Sequence, residues 1–178
     1  MEFSFLYAIP RTSVLDSFFL VVTKIAGSYG QLWVIVAAVL LVFKKTRKAG
    51  VAVLLAYAAV FLIGQYGLKN LVSRPRPCQI DLDFALLVDR PSSSSFPSTH
   101  SAWAFGAATA VFMQHKKSGI AAFIAAALIA FSRMYLFLHF PTDVLAGIVL
   151  GIALGMLANW ITGRIWKTAD QRKNAAGV

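Results

Sequence analysis

The sequence is short of charge, and shorter still of acid. Of its 178 residues, 13% are Asp, Glu, Lys or Arg and 58% are hydrophobic, and the 7 acidic residues include a single glutamate, Glu2. Soluble domains carry about 25% charged and about 45–50% apolar residues, so an ordinary soluble fold is excluded. Disorder is excluded as well, because it needs low hydrophobicity. Cys78 stands alone, which leaves no disulfide framework and no cysteine-based metal site. Met1–Pro10 lacks a basic stretch and no small-residue cleavage pattern follows it, so no cleavable signal peptide is expected. No Gly-Ser linker, internal repeat or long low-complexity tract divides the chain, and residues 1–178 read as one membrane-embedded domain.

What the sequence has is long apolar runs separated by positive charge. Mean hydropathy is +0.70, and 17 Lys and Arg leave a net charge of +10. The basic residues cluster between the apolar runs, as membrane topology predicts, and no nucleic-acid partner is expected. Spanning a bilayer as a helix takes about 20 mostly apolar residues. Ile25–Phe43, Ala49–Leu68 and Val144–Gly163 meet that length without a charge. Ser101–Met113 meets it when extended back to Pro97, and Ser118–Leu138 does so with Arg133 near its far end. The expected fold is therefore an all-α integral membrane bundle of five spans. Thr12–Lys24 is apolar but short and flanked by charge, so it is expected as an interfacial or re-entrant helix, with a sixth partial span as the alternative.

Orientation follows from the loops. Lys44, Lys45, Arg47, Lys48, Lys116, Lys117, Arg164, Lys167, Arg172 and Lys173 fall on one side, which the positive-inside rule makes cytoplasmic along with the C-terminus. The other side carries Lys69, Arg74, Arg76, Arg90 and Arg133 with both His100 and His139. Topology does not account for those charges. The longest loop, about Arg74–Phe96, lies on the same side and holds Asp81, Asp83, Asp89 and the run Ser92–Ser95, a candidate cap for a site.

Three segments put ionisable groups at the outer ends of spans, where they are costly unless they face a cavity or one another. The first runs from Lys69 to Arg76, with Pro75 and Pro77 pushing the chain out of helix; alone, it also suits snorkelling cations. The second is Phe96-Pro97-Ser98-Thr99-His100, where a helix start offers the N–H groups of Ser98, Thr99 and His100 to an anion. There His100 is a candidate proton donor to a leaving oxygen. The third runs from Ser132-Arg133 to His139 and Asp143, with Pro141 marking another helix start. A carboxylate four residues after a histidine can hold one ring nitrogen and leave the other as a nucleophile; the alternative is a structural pair. Asp143, Gly147, Gly151 and Gly155 form a stripe that lets a second helix approach, and His100, Ala104 and Ala108 form a similar one. Three cations around a tetrahedral anion, with two histidines in opposite roles, suit phosphoryl transfer. Asp143 pairs with His139 in this scheme, so neither a metal nor another cofactor is expected.

These blocks resemble the type 2 phosphatidic-acid phosphatase family of membrane lipid phosphatases. The first block reads Lys69, six residues, Arg76-Pro77; the second Pro97-Ser98-Thr99-His100; the third Ser132-Arg133, five residues, His139, three residues, Asp143. The resemblance implies that Lys69, Arg76, Arg133 and Ser98 hold the phosphate. It implies that His100 protonates the leaving oxygen and that His139, oriented by Asp143, forms a phosphohistidine. Thr99 replaces the family's usual Gly; its backbone N–H still serves phosphate at negative φ, while its branched side chain narrows the pocket.

The expected activity is hydrolysis of a phosphate or diphosphate lipid head group at the outer face of a cytoplasmic membrane. Undecaprenyl diphosphate is the first candidate, with phosphatidylglycerophosphate and phosphatidate as alternatives. An anionic-lipid binding or transport protein is the non-enzyme alternative, but it leaves the histidines without a purpose. The vanadate-holding haloperoxidase relatives resemble soluble proteins, which the spans disfavour.

Overall fold

The computed structural model describes residues 1–175, with Lys173 and Ala175 as backbone alone. Residues 176–178 of the expected domain, and the side chain of Lys173 in the basic count, lie outside it. All regular structure described is helical: α1 (Glu2–Tyr7), α2 (Ser13–Ala26), α3 (Gln31–Val42), α4 (Arg47–Ala59), a π-helical segment (Val60–Leu68), α5 (Lys69–Val72), α6 (Pro77–Ile80), α7 (Thr99–Phe112), α8 (Lys116–Tyr135) and α9 (Pro141–Ala175).

The helical membrane bundle stands, with a different count of spans. Three helices, Arg47–Ile80, Lys116–Tyr135 and Pro141–Arg172, are long and apolar enough to cross a bilayer. A fourth forms if α2 and α3, bent by 55° at their break, count as one. The expected interfacial helix and first span are thus the two arms of one bent pair. Gly27 and Gly30 cause the break: both take positive φ, +75° and +69°, which side-chain-bearing residues rarely adopt. What remains of the first span is the 12-residue α3, ~18 Å at ~1.5 Å per residue.

The expected third span is also shorter than a bilayer: α7 has 14 residues, ~21 Å. Eleven of them are buried, from Thr99 to Val111. This helix is enclosed by α4, α8 and α9, so its length answers to its neighbours and not to the thickness of the lipid.

The α7–α9 contact depends on missing side chains. A Cβ on Gly147 would lie 2.3 Å from the Ser98 carbonyl oxygen, on Gly151 2.4 Å from that of Ala102, and on Gly155 2.6 Å from that of Gly106. The glycine stripe was legible, but its partner is Ser98, Ala102 and Gly106, not His100, Ala104 and Ala108. His100 therefore turns away from α9. At the end of the same seam the Ser98 N–H donates to the Asp143 carbonyl at 3.0 Å, which fixes the start of α7 against the first turn of α9.

The α4 run carries the other device. From Val60 to Leu68 it winds as a π-helix, and the Lys69 N–H bonds to the Gly64 carbonyl five residues back. At ~100° per residue an α-helix would set Lys69 about 140° around from Gly64. The wider turn brings Gly64 and Lys69 to one buried face.

Gly151→Val forces α7 and α9 apart, and overpacking of this kind costs about 1–3 kcal/mol. Thermal unfolding in detergent should give a lower Tm than wild type, whereas Gly163→Ala, with nothing within 4 Å of the new Cβ, should keep or raise it. Equal Tm values for the two variants contradict the packing described.

Candidate active site

Three chain segments meet at the end of the bundle where α2 stops, α7 and α9 begin, and the 74–96 loop folds back. Between them lies a cavity of about 720 Å³ whose wall includes Gln65, Lys69, Arg76, Thr99, His100 and Arg133. Lys69, Arg76 and Arg133 are 5%, 4% and 6% exposed. Buried charge is expensive unless compensated. Yet none of the three is within ion-pair distance of a carboxylate among the described residues, since Arg74 takes Asp143. The Nε of Arg133 has no hydrogen-bond partner among them, while its Nη1 donates to Thr23 Oγ1 at 3.2 Å. Buried cations without an anion define a cavity suited to a phosphate.

Arg76 is held by backbone. Its Nε donates to the Ser93 carbonyl at 2.8 Å, and its Nη1 to the Leu138 carbonyl at 3.0 Å. The same Nη1 lies 3.0 Å from Nε2 of His139. A guanidinium can only donate, so that nitrogen carries the lone pair and the ring proton sits on Nδ1. His139 itself is 1% exposed in the turn between α8 and α9. Its burial, reinforced by Arg76, Arg133 and Lys69, pushes the imidazole well below its ordinary titration range, so the ring stays neutral.

Asp143 stands in the first turn of α9, fully buried, but does not reach His139 directly: Nδ1 and Oδ2 are 3.8 Å apart. The Ser95 hydroxyl lies between them, donating to Asp143 Oδ2 and 3.5 Å from Nδ1. The carboxylate is also fixed by the Phe140 N–H on Oδ2 and by Arg74 Nη1 on Oδ1, each at 2.8 Å. Arg74 in turn pairs with Glu2, which accepts from the Thr142 hydroxyl at 2.6 Å. The N-terminal helix α1 is thereby tied to the carboxylate behind His139.

His139 and Asp143 lie behind Arg76 and are not among the residues lining the cavity, whereas His100 is, and its Nε2 lies 2.9 Å from the Gly27 carbonyl. A carbonyl only accepts, so Nε2 bears the proton and Nδ1 is the nitrogen left to take up and release another. Helix α7 starts at Thr99 with Ser98 as its N-cap, and Pro97 precedes the first turn instead of occupying it. The Ser98 N–H is not free for an anion, because it bonds Asp143; those of Thr99 and His100 remain. The Ser98 hydroxyl pairs with Ser101 Oγ at 2.9 Å, and Thr99 Oγ1 donates to Gln65 Oε1 at 3.2 Å.

Ser95, Arg74, Gly27 and Gln65 contact the candidate site residues, and spacing does not single them out. Ser95 is one of four consecutive serines, a run with no internal signal for which one points inward. Arg74 was visible only as an unassigned cation. Gly27 had a signal: two glycines three apart inside an apolar run are a break pattern.

Comparison with known proteins identifies the class to which this fold belongs. A family model described as the PAP2 superfamily matches residues 45–167. The chain is 33% identical over 152 residues to an undecaprenyl-diphosphatase of Sulfolobus acidocaldarius, covering 83% of this chain and 73% of that protein. It is 37% identical over 143 residues to phosphatidylglycerophosphatase B of Bacillus subtilis, covering 74% and 66%. Among solved structures, the Bacillus subtilis PAP2-type phosphatidylglycerolphosphate phosphatase superposes with TM-score 0.69 at 33% identity, covering 87% of this chain and 80% of that one. Aquifex aeolicus LpxE gives 0.63 at 28%, covering 83% and 87%. The chain belongs to the PAP2 superfamily. It is a membrane-embedded, multi-pass lipid phosphatase, and so a hydrolase.

Histidine ¹⁵N spectra of the resting protein at pH 6.5 should show His139 neutral with its proton on Nδ1, because burial disfavours the imidazolium. A predominantly charged ring, or a proton on Nε2, contradicts the site geometry.

Proposed function

We propose that this enzyme removes the terminal phosphate of an isoprenoid diphosphate, undecaprenyl diphosphate first among candidates, through a phosphohistidine on His139. The observation that carries it is the His139 Nε2 lone pair facing the Arg76 guanidinium, one of three buried cations that lack a carboxylate partner among the described residues. In the first step Nε2 bonds to phosphorus as the bridging P–O bond breaks, and a proton from His100 goes to the departing oxygen. In the second, water attacks the phosphohistidine and gives a proton back to His100, the P–N bond breaks, inorganic phosphate leaves, and Nε2 regains its lone pair. Lys69, Arg76 and Arg133 neutralise charge spread over the transferring phosphoryl oxygens, with Ser98 and the first-turn N–H of Thr99 flanking them. Ser95 relays Asp143 to Nδ1 and so holds the reactive tautomer. With the charge supplied by Lys and Arg, the reaction needs no metal.

The diphosphate assignment is supported by the name of the Sulfolobus relative. Phosphatidylglycerophosphate is the second reading, favoured by the names of the Bacillus relative and structural neighbour. The α3–α4 connection and start of α4 (Lys44–Lys48), the first turn of α8 (Lys116 and Lys117) and the last turns of α9 carry clustered basic residues. The positive-inside rule supports a cytoplasmic C-terminus and a site open to the far side of a cytoplasmic membrane.

Phosphate release from purified undecaprenyl diphosphate, phosphatidylglycerophosphate and phosphatidate tests this, with and without EDTA. The diphosphate should be preferred and chelator should have no effect. His139→Ala should cut release by more than about a thousandfold while lipid still binds. Loss with EDTA contradicts the metal-free route, and full activity in His139→Ala contradicts the nucleophile.

A further inference from the structure

Gln65 has no part in the chemistry above, yet its position is specific. It projects from the π-helical segment into the wall of the 720 Å³ cavity, and also into that of an adjoining cavity of about 400 Å³. Lys69, Ser92 and Ser93 are the other residues shared by the two walls, so the cavities adjoin where an ammonium and an amide stand side by side. Thr99 anchors the amide. Its hydroxyl donates to Gln65 Oε1 at 3.2 Å, and its Cγ2 packs on Gly64, where an added Cβ would lie 3.3 Å away. Both arms of the Thr99 side chain therefore engage the π-helical segment. An amide whose oxygen is turned toward the Thr99 hydroxyl presents its NH₂ group, with two donors, on the opposite side. Thr99 directly precedes His100, so these donors are tethered on the proton-donor side of the cavity.

We propose that the Gln65 amide, held by Thr99, donates to the phosphate that departs with the lipid and selects diphosphate over monophosphate lipids, resting on the diphosphate reading above. The chemistry of the two leaving groups is what such a donor distinguishes. When a lipid monophosphate is cleaved, the departing oxygen carries a hydrocarbon chain that offers the amide no acceptor. When a diphosphate is cleaved, the departing group is itself a phosphate whose non-bridging oxygens accept from N–H. A neutral donor suits that position, because three cations already face the transferred phosphoryl group and a fourth would hold the charged product. A glycine at position 99 supplies neither the hydroxyl nor the methyl group, and leaves the amide untethered.

The test uses the full chain in detergent with farnesyl diphosphate and farnesyl monophosphate, which share one tail, and reads the ratio of their kcat/KM values. Gln65→Leu should lower the diphosphate-to-monophosphate ratio about tenfold, the order expected for one hydrogen bond to a charged group. Gln65→Glu, which turns a donor into a repelling charge, should lower it further. Thr99→Val, isosteric but without the hydroxyl, should move it the same way, and Thr99→Ser should hold it near wild type. Thr99→Val still decides the matter if Gln65→Leu yields no active protein. A ratio unchanged in Gln65→Leu and Thr99→Val overturns the assignment. A wild type that prefers monophosphate contradicts the diphosphate reading itself, whereas a diphosphate preference that survives both variants sinks only the role of Gln65.

Discussion

The site depends on two helix backbones touching. Along α7 and α9 the carbonyl oxygens of Ser98, Ala102 and Gly106 occupy the space where Gly147, Gly151 and Gly155 would carry side chains. Without a hydrophobic drive between helices in lipid, such close van der Waals contact is what holds them. The seam ends in the bond from Ser98 N–H to the Asp143 carbonyl. Two histidines 39 positions apart in the chain, His100 and His139, are thereby brought to one end of the bundle from the starts of two helices. No loop has to carry that registration.

On this rigid seam the charge is arranged by devices that break regular helix. The π-turns of Val60–Leu68 bring Lys69 onto the inner face. The glycines at 27 and 30 end α2 and supply the carbonyl that fixes His100. The returning 74–96 loop supplies the carbonyl that holds Arg76 through Ser93 and, through Ser95, the hydroxyl between His139 and Asp143. The two helix breaks and the loop thus each place polar groups around the candidate site. The aromatic cluster of Phe3, Tyr7, Phe84, Phe137 and Phe140 then ties α1, the loop and the turn before α9 together, with Phe84 and Phe137 stacked at 3.8 Å.

Most of the fold, and the convergence of the three motif blocks at one end of the bundle, were legible in the sequence, because bilayer length and motif spacing are strong one-dimensional signals. Composition gave the membrane class, and the four-residue stripe from Asp143 to Gly155 gave the helix contact. The span count was less legible. Residues 25–43 carry no charge, but the Gly27–Gly30 break bends them, and α7 is shielded by protein, so its length need not match the membrane. The residues that hold the motif side chains in place were largely hidden. Ser95 is indistinguishable from its serine neighbours until the loop is folded, and Arg74 reaches Asp143 only through tertiary packing. The link from Thr99 to Gln65 spans 34 positions and requires π-turn geometry that no local composition announces.

The central claim is that His139 takes the phosphoryl group. Mass spectrometry of enzyme quenched in alkali during turnover, which preserves acid-labile phosphohistidine, tests it most directly. The phosphate should be found on the peptide bearing His139, and absent when the same experiment is run without substrate. A phosphate mass on Ser95 or on His100 instead, or none on any residue under conditions of full turnover, would contradict the account.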